Sequence, residues 1–459
     1  MERKIRSRSA VVSVVGLGHV GLPLAVTFAE AGYQTLGVDS DPEHLERVRS
    51  TKLDPQNSAV QYALSRILDT NKLRLTGELR EAVKESDCVL ICVPTPVDYR
   101  KRPDTSIISK VLRTTGKCIL TGKLVVIEST VYPSFTDYVA KRLLEASGMK
   151  CGIDFALAHS PQRIDPGNIR YHITQIPKVV GGVDPDSGTI AALLYKSVME
   201  EDVINVCNAR TAECVKMLEN VYRFVNIALV NELALLYRKI GVDIFEVVQA
   251  ASSKPFGFHP HYPGPGVGGP CIPKDHFYLR YTARQVGAQL KLVEISASIN
   301  RAMPMLVAGE VLKELKRLRL QVPKVAIFGM AYKAESSETV NSSAIKVISR
   351  LLSAGTKVTL HDPYVSSVKI NRRVLACEDT AEAAATQANC LLFLVDHEAY
   401  RRLKLSSLKE VVAERCLLFD TKNLFKAKEA EEAGFRYIAW LCNPSVGSTC
   451  HNNPWDAAS

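Results

Sequence analysis

Val11-Val12-Ser13-Val14-Val15-Gly16-Leu17-Gly18-His19-Val20-Gly21 decides the reading of the N-terminal half of this chain. The valine-rich run reads as a buried strand, and Leu22 to Ala31 reads as a helix entered through a glycine turn. Gln34 to Val38 reads as a second strand that ends on an acid, Asp39. A Gly-x-Gly-x-x-Gly turn lets backbone approach a pyrophosphate at a helix N-terminus, where amides and the helix dipole favour negative charge. Gly16, Gly18, Val20 and Gly21 are therefore candidate pyrophosphate contacts. Asp39 can bind both ribose hydroxyls and would repel a 2′-phosphate, so NAD is expected in preference to NADP.

Outward from that unit, Cys88 to Val93 and Leu124 to Ile127 read as further buried strands, each followed by turn chemistry. Strands alternating with helices imply a parallel, doubly wound sheet up to about residue 205. Arg210 to about Ile240 and Leu290 to about Arg319 read as long helices. A second α/β set follows at Lys324 to Phe328, Lys357 to Leu360, Leu391 to Val395 and Leu417 to Phe419. The expected fold class is α/β, with two Rossmann-like parallel-sheet domains, 1–205 and 321–459, joined by a long-helix region, 206–320.

At 459 residues the chain exceeds what one hydrophobic core supports. Its net charge of +10 suits an anionic ligand, but no dense Lys/Arg run points to nucleic acid. No apolar run reaches a membrane span and no secretory signal is read, so a cytoplasmic protein without membrane insertion is expected. Twelve cysteines are scattered, several inside apolar strand-like runs (Cys88, Cys92, Cys390, Cys416), as befits small buried side chains in a reducing compartment. No metal-type cysteine pair occurs; Cys442, Cys450 and His451 read as a loose tail, and no metal is expected.

Val93-Pro94-Thr95-Pro96 and Glu128-Ser129-Thr130-Val131-Tyr132-Pro133 follow strands, which places Thr95 and Thr130 on the nicotinamide side of the cofactor. Within Ala212-Glu213-Cys214-Val215-Lys216-Met217-Leu218-Glu219-Asn220, Lys216 and Asn220 stand four apart on one helix face. An ammonium and a carboxamide so placed can stabilise developing oxyanions. Tyr262-Pro263-Gly264-Pro265-Gly266-Val267-Gly268-Gly269-Pro270-Cys271-Ile272-Pro273-Lys274-Asp275 sets a single thiol in a glycine- and proline-shaped loop. The glycines permit close approach of a ligand, and a thiol near a lysine is activated as a nucleophile.

Together with Gly329-Met330-Ala331-Tyr332-Lys333, these segments resemble the UDP-glucose/GDP-mannose dehydrogenase family, in the family's order and over nearly the whole chain. Ser160-Pro161-Gln162-Arg163-Ile164-Asp165-Pro166-Gly167-Asn168, the run Tyr222 to Glu232, and Lys254-Pro255-Phe256-Gly257-Phe258 resemble the UDP-N-acetylglucosamine 6-dehydrogenases, with mannosamine dehydrogenases close behind. The resemblance implies oxidation of a UDP-sugar C6 alcohol to a carboxylate by two NAD, through a thioester on Cys271. It implies oxyanion stabilisation by Lys216 and Asn220, and positioning of water and thiol by Thr130 and Asp275. Gln162 falls in the hydrolytic position, and Arg163, Tyr262, Gly268 and Lys333 are carried over, with Lys216 and Asn220, as substrate contacts. A homodimer through the helices after Arg210 is the expectation of the family type.

Three departures stand out. Gln162 occupies a position where the family has Glu, and an amide cannot act as a base. Pro270 precedes the cysteine in place of a histidine, and Val340 replaces an arginine beyond Lys333. These keep a second reading open, a nucleotide-sugar-binding protein with impaired catalysis; a third is a two-electron Rossmann dehydrogenase. NADH released per sugar consumed separates the three: two, none or one.

Overall fold

The structure, a computed structural model, describes residues 1–52, 58–164 and 171–441. Asp165, Pro166, Gly167, Asn168, Cys442, Cys450 and His451 lie outside the described residues. By its internal contacts the chain divides into two compact units: Met1–Glu219 with Asp275–Gln289, and Asn220–Lys274 with Leu290–Ser459. The chain passes between them three times, twice inside helices, Ala209–Lys239 and Ile272–Gln285, and once between Gln289 and Leu290.

The first unit is built on an eight-stranded sheet of order β3-β2-β1-β4-β5-β6-β7-β8. Its strands are β1 Val11–Val15, β2 Gln34–Val38, β3 Leu73–Thr76, β4 Cys88–Ile91, β5 Lys123–Ile127, β6 Phe155–His159, β7 Lys178–Gly182 and β8 Val203–Val206. Both faces are covered, which explains why the strands read as continuous apolar runs. Val12, Val14 and Leu90 pack on one face with Leu24 and Phe28 of the helix Gly21–Glu30. Val15, Val89 and Ile91 pack on the other with Ile108 and Leu112 of the helix Ser106–Cys118. The sheet is parallel through β6, and β7 then pairs antiparallel with β6, a departure from the all-parallel expectation. A parallel return needs a crossover, usually a helix. Between β6 and β7 the described residues hold only the short turn Ile173–Gln175.

The second unit carries β9 Lys324–Phe328, β10 Lys357–His361, a hairpin β11 Ser367–Ile370 and β12 Arg373–Ala376, then β13 Cys390–Phe393, β14 Leu417–Asp420 and β15 Arg436–Ala439. Its main sheet is wholly parallel, with order β10-β9-β13-β14-β15. Each sheet reverses its winding beside its first strand, at β1/β4 and at β9/β13, where α/β folds place ligands. The long helices Ala209–Lys239 and Lys291–Arg317 match the sequence reading to within a few residues, and Pro304 sits inside the latter. Among the described residues no helix is long and apolar enough to cross a membrane, and no His/Cys/Asp/Glu group could hold a metal ion. Cys88, Cys92, Cys390 and Cys416 are buried, and burial pushes the Cys88 thiol up to about 12.

The two sheets repeat one local device. Gly16 after β1 has φ +93°, and Gly329 after β9 has φ +94°. Each donates its amide to the last residue of the neighbouring strand, Gly16 to Val38 O at 2.8 Å and Gly329 to His361 O at 3.0 Å. The next amide, on Leu17 or Met330, donates to the aspartate that follows that strand, Asp39 at 2.8 Å and Asp362 at 2.6 Å.

Candidate active site

The three glycines of the first turn do different work. A Cβ on Gly16 would stand 2.9 Å from Cys92 O, and one on Gly21 would stand 1.7 Å from Gly16 O. Neither tolerates a side chain. Gly18 is exposed with nothing within 4 Å of its Cβ position, so it leaves room for a ligand to approach the backbone. Val20 is the N-cap of the helix Gly21–Glu30, which has no side-chain cap. Asp39 is half-buried; one carboxylate oxygen takes the Leu17 amide and the other the Asp41 amide at 3.0 Å. A turn with this cradle, an uncapped helix start and an acid at the next strand end fits NAD.

The two strand-end loops are tied to each other. Thr95 Oγ1 donates to Thr130 O at 2.6 Å, and Ser129 Oγ donates to Val93 O at 2.7 Å. Thr130's own hydroxyl has no protein partner among the described residues and is half-buried. Below this loop, Glu128 is fully buried and pairs with Lys178 at 2.7 Å, while Tyr195 OH donates to its other oxygen. A desolvated pair of this kind breaks at high cost, so it anchors the loop.

The helix Ala209–Lys239 carries Glu213, Lys216 and Glu219 into the same unit. Glu213 accepts from Ser134 N at 2.5 Å, Thr136 N at 2.8 Å and Thr136 Oγ1 at 2.6 Å, clamping the end of the Thr130 loop. Burial pushes its carboxyl up to about 7, against these three donors. Lys216 is buried, and its ammonium donates to the Gln162 backbone carbonyl and forms no ion pair among the described residues. An ammonium held away from water without a counter-carboxylate is positioned for an anion that develops beside it. Gln162, also buried, takes the Arg163 and Ile164 amides on Oε1 at 2.6 and 2.8 Å; its Nε2 has no partner among the described residues. Arg163 is already engaged, by Pro177 O at 2.6 Å and Glu219 at 2.7 Å. Asp275 is buried in the first turn of the helix Ile272–Gln285, in this same unit.

In the second unit, Asn220 lies on the same helix one turn beyond Lys216, and Cys271 stands half-buried immediately before the helix Ile272–Gln285. Lys274 N donates to Cys271 O at 2.9 Å, closing the loop onto the helix. Its glycines serve packing inside this unit. A Cβ on Gly266 would meet Ser343 Oγ at 2.7 Å, and on Gly268 or Gly269 the Tyr332 side chain at 2.8 Å. Gly269 N donates to Val340 O at 2.9 Å and Asn341 Nδ2 to Gly269 O at 3.1 Å, so the departures after Lys333 fall where the cysteine loop is pinned. Val340 contributes its backbone there, and its side chain is exposed. Tyr262 is exposed and stacks on Phe245 at 5.9 Å; the Lys333 ammonium lies 5.7 Å from the Tyr332 ring.

Sequence reasoning missed Lys422, directly after β14, which pairs with Asp396 at 3.2 Å and whose ammonium lies 3.5 Å from the Cβ position of Gly264. Its signal was available: a lysine two residues past a strand-ending acid, at the carboxyl end of a parallel sheet.

Three family models match the chain in order: the NAD-binding domain of the UDP-glucose/GDP-mannose dehydrogenase family at residues 10–199, its central domain at 210–302 and its UDP-binding domain at 326–427. UDP-N-acetyl-D-mannosamine dehydrogenase of Pyrococcus horikoshii is 32% identical over 90% of this chain and 96% of its own length. Its solved structure superposes with a TM-score of 0.86, covering 95% of this chain and 100% of that one. Protein CapL of Staphylococcus aureus is 34% identical over 91% of this chain and 97% of its own. UDP-N-acetyl-D-glucosamine 6-dehydrogenase of Salmonella typhi is 29% identical over 92% and 97%. With matched domains along most of its length and relatives above 30% identity end to end, the chain belongs to the UDP-glucose/GDP-mannose dehydrogenase family.

Proposed function

We propose that the chain oxidises the C6 alcohol of UDP-N-acetylglucosamine or UDP-N-acetylmannosamine to the uronic acid, in four electrons and through a thioester on Cys271. The observation that carries this reading is the buried Lys216 ammonium, which among the described residues has a carbonyl but no carboxylate for a partner. Both substrates are held open because relatives of both names match along the whole chain. NAD, held by Gly16, Gly18, Val20, Gly21, Asp39, Thr95 and Thr130, supplies the hydride acceptor for both oxidations.

The protein's residues then divide the work. The Cys271 sulfur adds to the C6 aldehyde carbon, and the aldehyde oxygen takes the proton that the thiol gives up. The resulting thiohemiacetal carries both a hydroxyl and a hydrogen on a tetrahedral C6, so it can lose a second hydride and become the thioester, as the trigonal aldehyde cannot. Lys216 and Asn220 hold the oxygen as it becomes anionic. Asp275 positions the thiol, and Thr130 and Gln162 orient the water that opens the thioester, returning the proton to sulfur and releasing the carboxylate. Arg163, Tyr262, Gly268 and Lys333 contribute to the nucleotide-sugar. In this division 1–205 holds the cofactor, 206–320 supplies the helices and the thiol, and 321–459 the UDP group.

The active form we propose is a cytoplasmic homodimer. Tyr222, Leu229 and Leu236 recur every seven residues on the helix Ala209–Lys239, at 45%, 49% and 51% exposure. Such a stripe suits a second copy of the same helix. The test of the reaction is NADH released per nucleotide-sugar, with UDP-N-acetylglucosamine, UDP-N-acetylmannosamine, UDP-glucose and UDP-galactose. Two per N-acetylated sugar is expected. One per sugar would establish the two-electron alternative, and none the impaired-binding alternative.

A further inference from the structure

A groove in the first unit is lined by a basic hairpin and one face of a helix, and none of the proposed chemistry uses it. Its cavity measures about 240 Å³. Phe277, Arg280, Tyr281 and Arg284 line one side, and their spacing puts them on a single face of the helix Ile272–Gln285. Lys101 and Arg102 line the other, from the hairpin turn Tyr99-Arg100-Lys101-Arg102. That turn is closed by Asp98 N donating to Arg102 O at 2.8 Å and Lys101 N to Asp98 O at 2.9 Å, with Lys101 at φ +59°.

Four cationic residues therefore line one cavity, with no acid among the residues that line it, and Asp98 pairs with Arg102 beside it. Ordinary surface lysines and arginines sweep through many rotamers, but three of these heads are held. Lys101 and Arg280 both lie on the Phe277 ring, at 5.8 and 4.9 Å from its centre. Arg102 is clamped by Asp98 through both its backbone amide, at 2.8 Å, and its Nε, at 3.0 Å. Lys101 and Arg284 form no ion pair among the described residues. Cations fixed in advance lose little entropy on binding an anion, and guanidinium forks match phosphate oxygens.

The helix that lines the groove also touches the cofactor-side loops. Tyr278, on the same helix, donates its hydroxyl to Thr95 O, and the Tyr281 ring lies 4.9 Å from that of Tyr132 in the Thr130 loop. An anion that draws the hairpin and the helix together would move both loops.

We infer that this groove is an effector site for a pyrophosphate-bearing anion, whose occupancy adjusts the cofactor loops. The binding half stands on the groove alone; the coupling half rests on the dehydrogenase reading. The test titrates the full chain calorimetrically with inorganic pyrophosphate and with ADP, keeping NAD and UDP saturating so that cofactor and substrate positions are filled. Saturable binding is expected, weakened at least about tenfold by the Lys101→Gln/Arg284→Gln pair. Tighter binding of ADP than of pyrophosphate would identify a nucleotide ligand, and equal binding the oligophosphate group alone. Equal affinity in wild type and variant, or no saturation in the millimolar range, overturns the site. Arg284→Gln alone serves if the double variant folds poorly. In steady state, pyrophosphate should shift the KM for NAD in wild type and not in the variant. Binding without such a shift overturns the coupling, and loss of activity with binding intact separates failure of the dehydrogenase reading from failure of the site.

Discussion

At Cys271 the proposed mechanism is most exposed to test, because a four-electron oxidation needs the aldehyde captured on the protein. Cys271→Ser should lose overall turnover by several orders of magnitude, since a hydroxyl is a poor nucleophile at neutral pH, and it should still bind NAD. Uronic acid formation by Cys271→Ala at a rate near wild type, followed by mass spectrometry of product, would sink the thioester. Gln162 poses a subtler question. Its Oε1 already takes the two turn amides, a task a carboxylate oxygen would do equally well, and its Nε2 is left without a partner among the described residues. Gln162→Glu should therefore keep the fold and speed thioester hydrolysis, leaving the first NADH burst unchanged in rapid-mixing kinetics. No burst and no acyl adduct in the wild type would count against a slow hydrolytic step. The glycine turn and Asp39 were legible in the sequence because their chemistry is local. The neighbours of Gly268 and Gly269 were not, because Tyr332 comes from more than sixty residues away along the chain. Beside the room for a ligand that the sequence suggests, the structure sets the Tyr332 side chain against these glycines.

At the scale of elements, apolar runs reveal where strands are but not which way they point. From the sequence no strand is named at β7, which is covered only by a strand–helix alternation up to about residue 205; its reversal against β6 follows from a connection whose described part lacks a helix. The prolines at 161, 166 and 177 in that connection carried the signal, since they disfavour the helix a parallel return requires. His159, the last residue of β6, shows what this junction costs. Burial, with Lys178 nearby, holds its imidazole down to about 3. The unfolded chain takes up this proton near pH 6.5 while the folded chain refuses it, so the contribution is present above that pH and lost on acidification. Denaturant melts should show wild type losing roughly 1.4 kcal/mol per pH unit more than His159→Gln between about pH 6 and pH 4. Parallel curves would mean that the imidazole is charged in the native state. The long helix offers a second test. Leu229→Lys with Leu236→Lys should convert the proposed dimer to monomer in light scattering while leaving helix content unchanged, because both side chains are half exposed in the single chain. A monomeric wild type at working concentration would dispose of the stripe as an interface.

Across the whole molecule, the glycine–aspartate device appears once in each unit, with different fates for its acid. Asp39 stays partly exposed and takes two amides. Asp362 is sealed in: it accepts the amides of Met330, Ala331, Tyr364 and Val365, and His397 stands 3.4 Å away. One acid has carboxylate left over for a ribose, the other none. The chain thus carries its own control experiment, the same edit available at two addresses. Asp39→Ala should leave the melting temperature nearly intact and relax the preference for NAD over NADP, which in wild type should be at least about tenfold. Asp362→Ala should leave that preference alone and cost about 3–5 kcal/mol, because four amides, three of them buried, lose their acceptor. Comparable destabilisation by both edits would mean that the open acid, too, is scaffolding. A pair that behaves as described would show that a repeated motif can be retired from recognition simply by closing the ground around it.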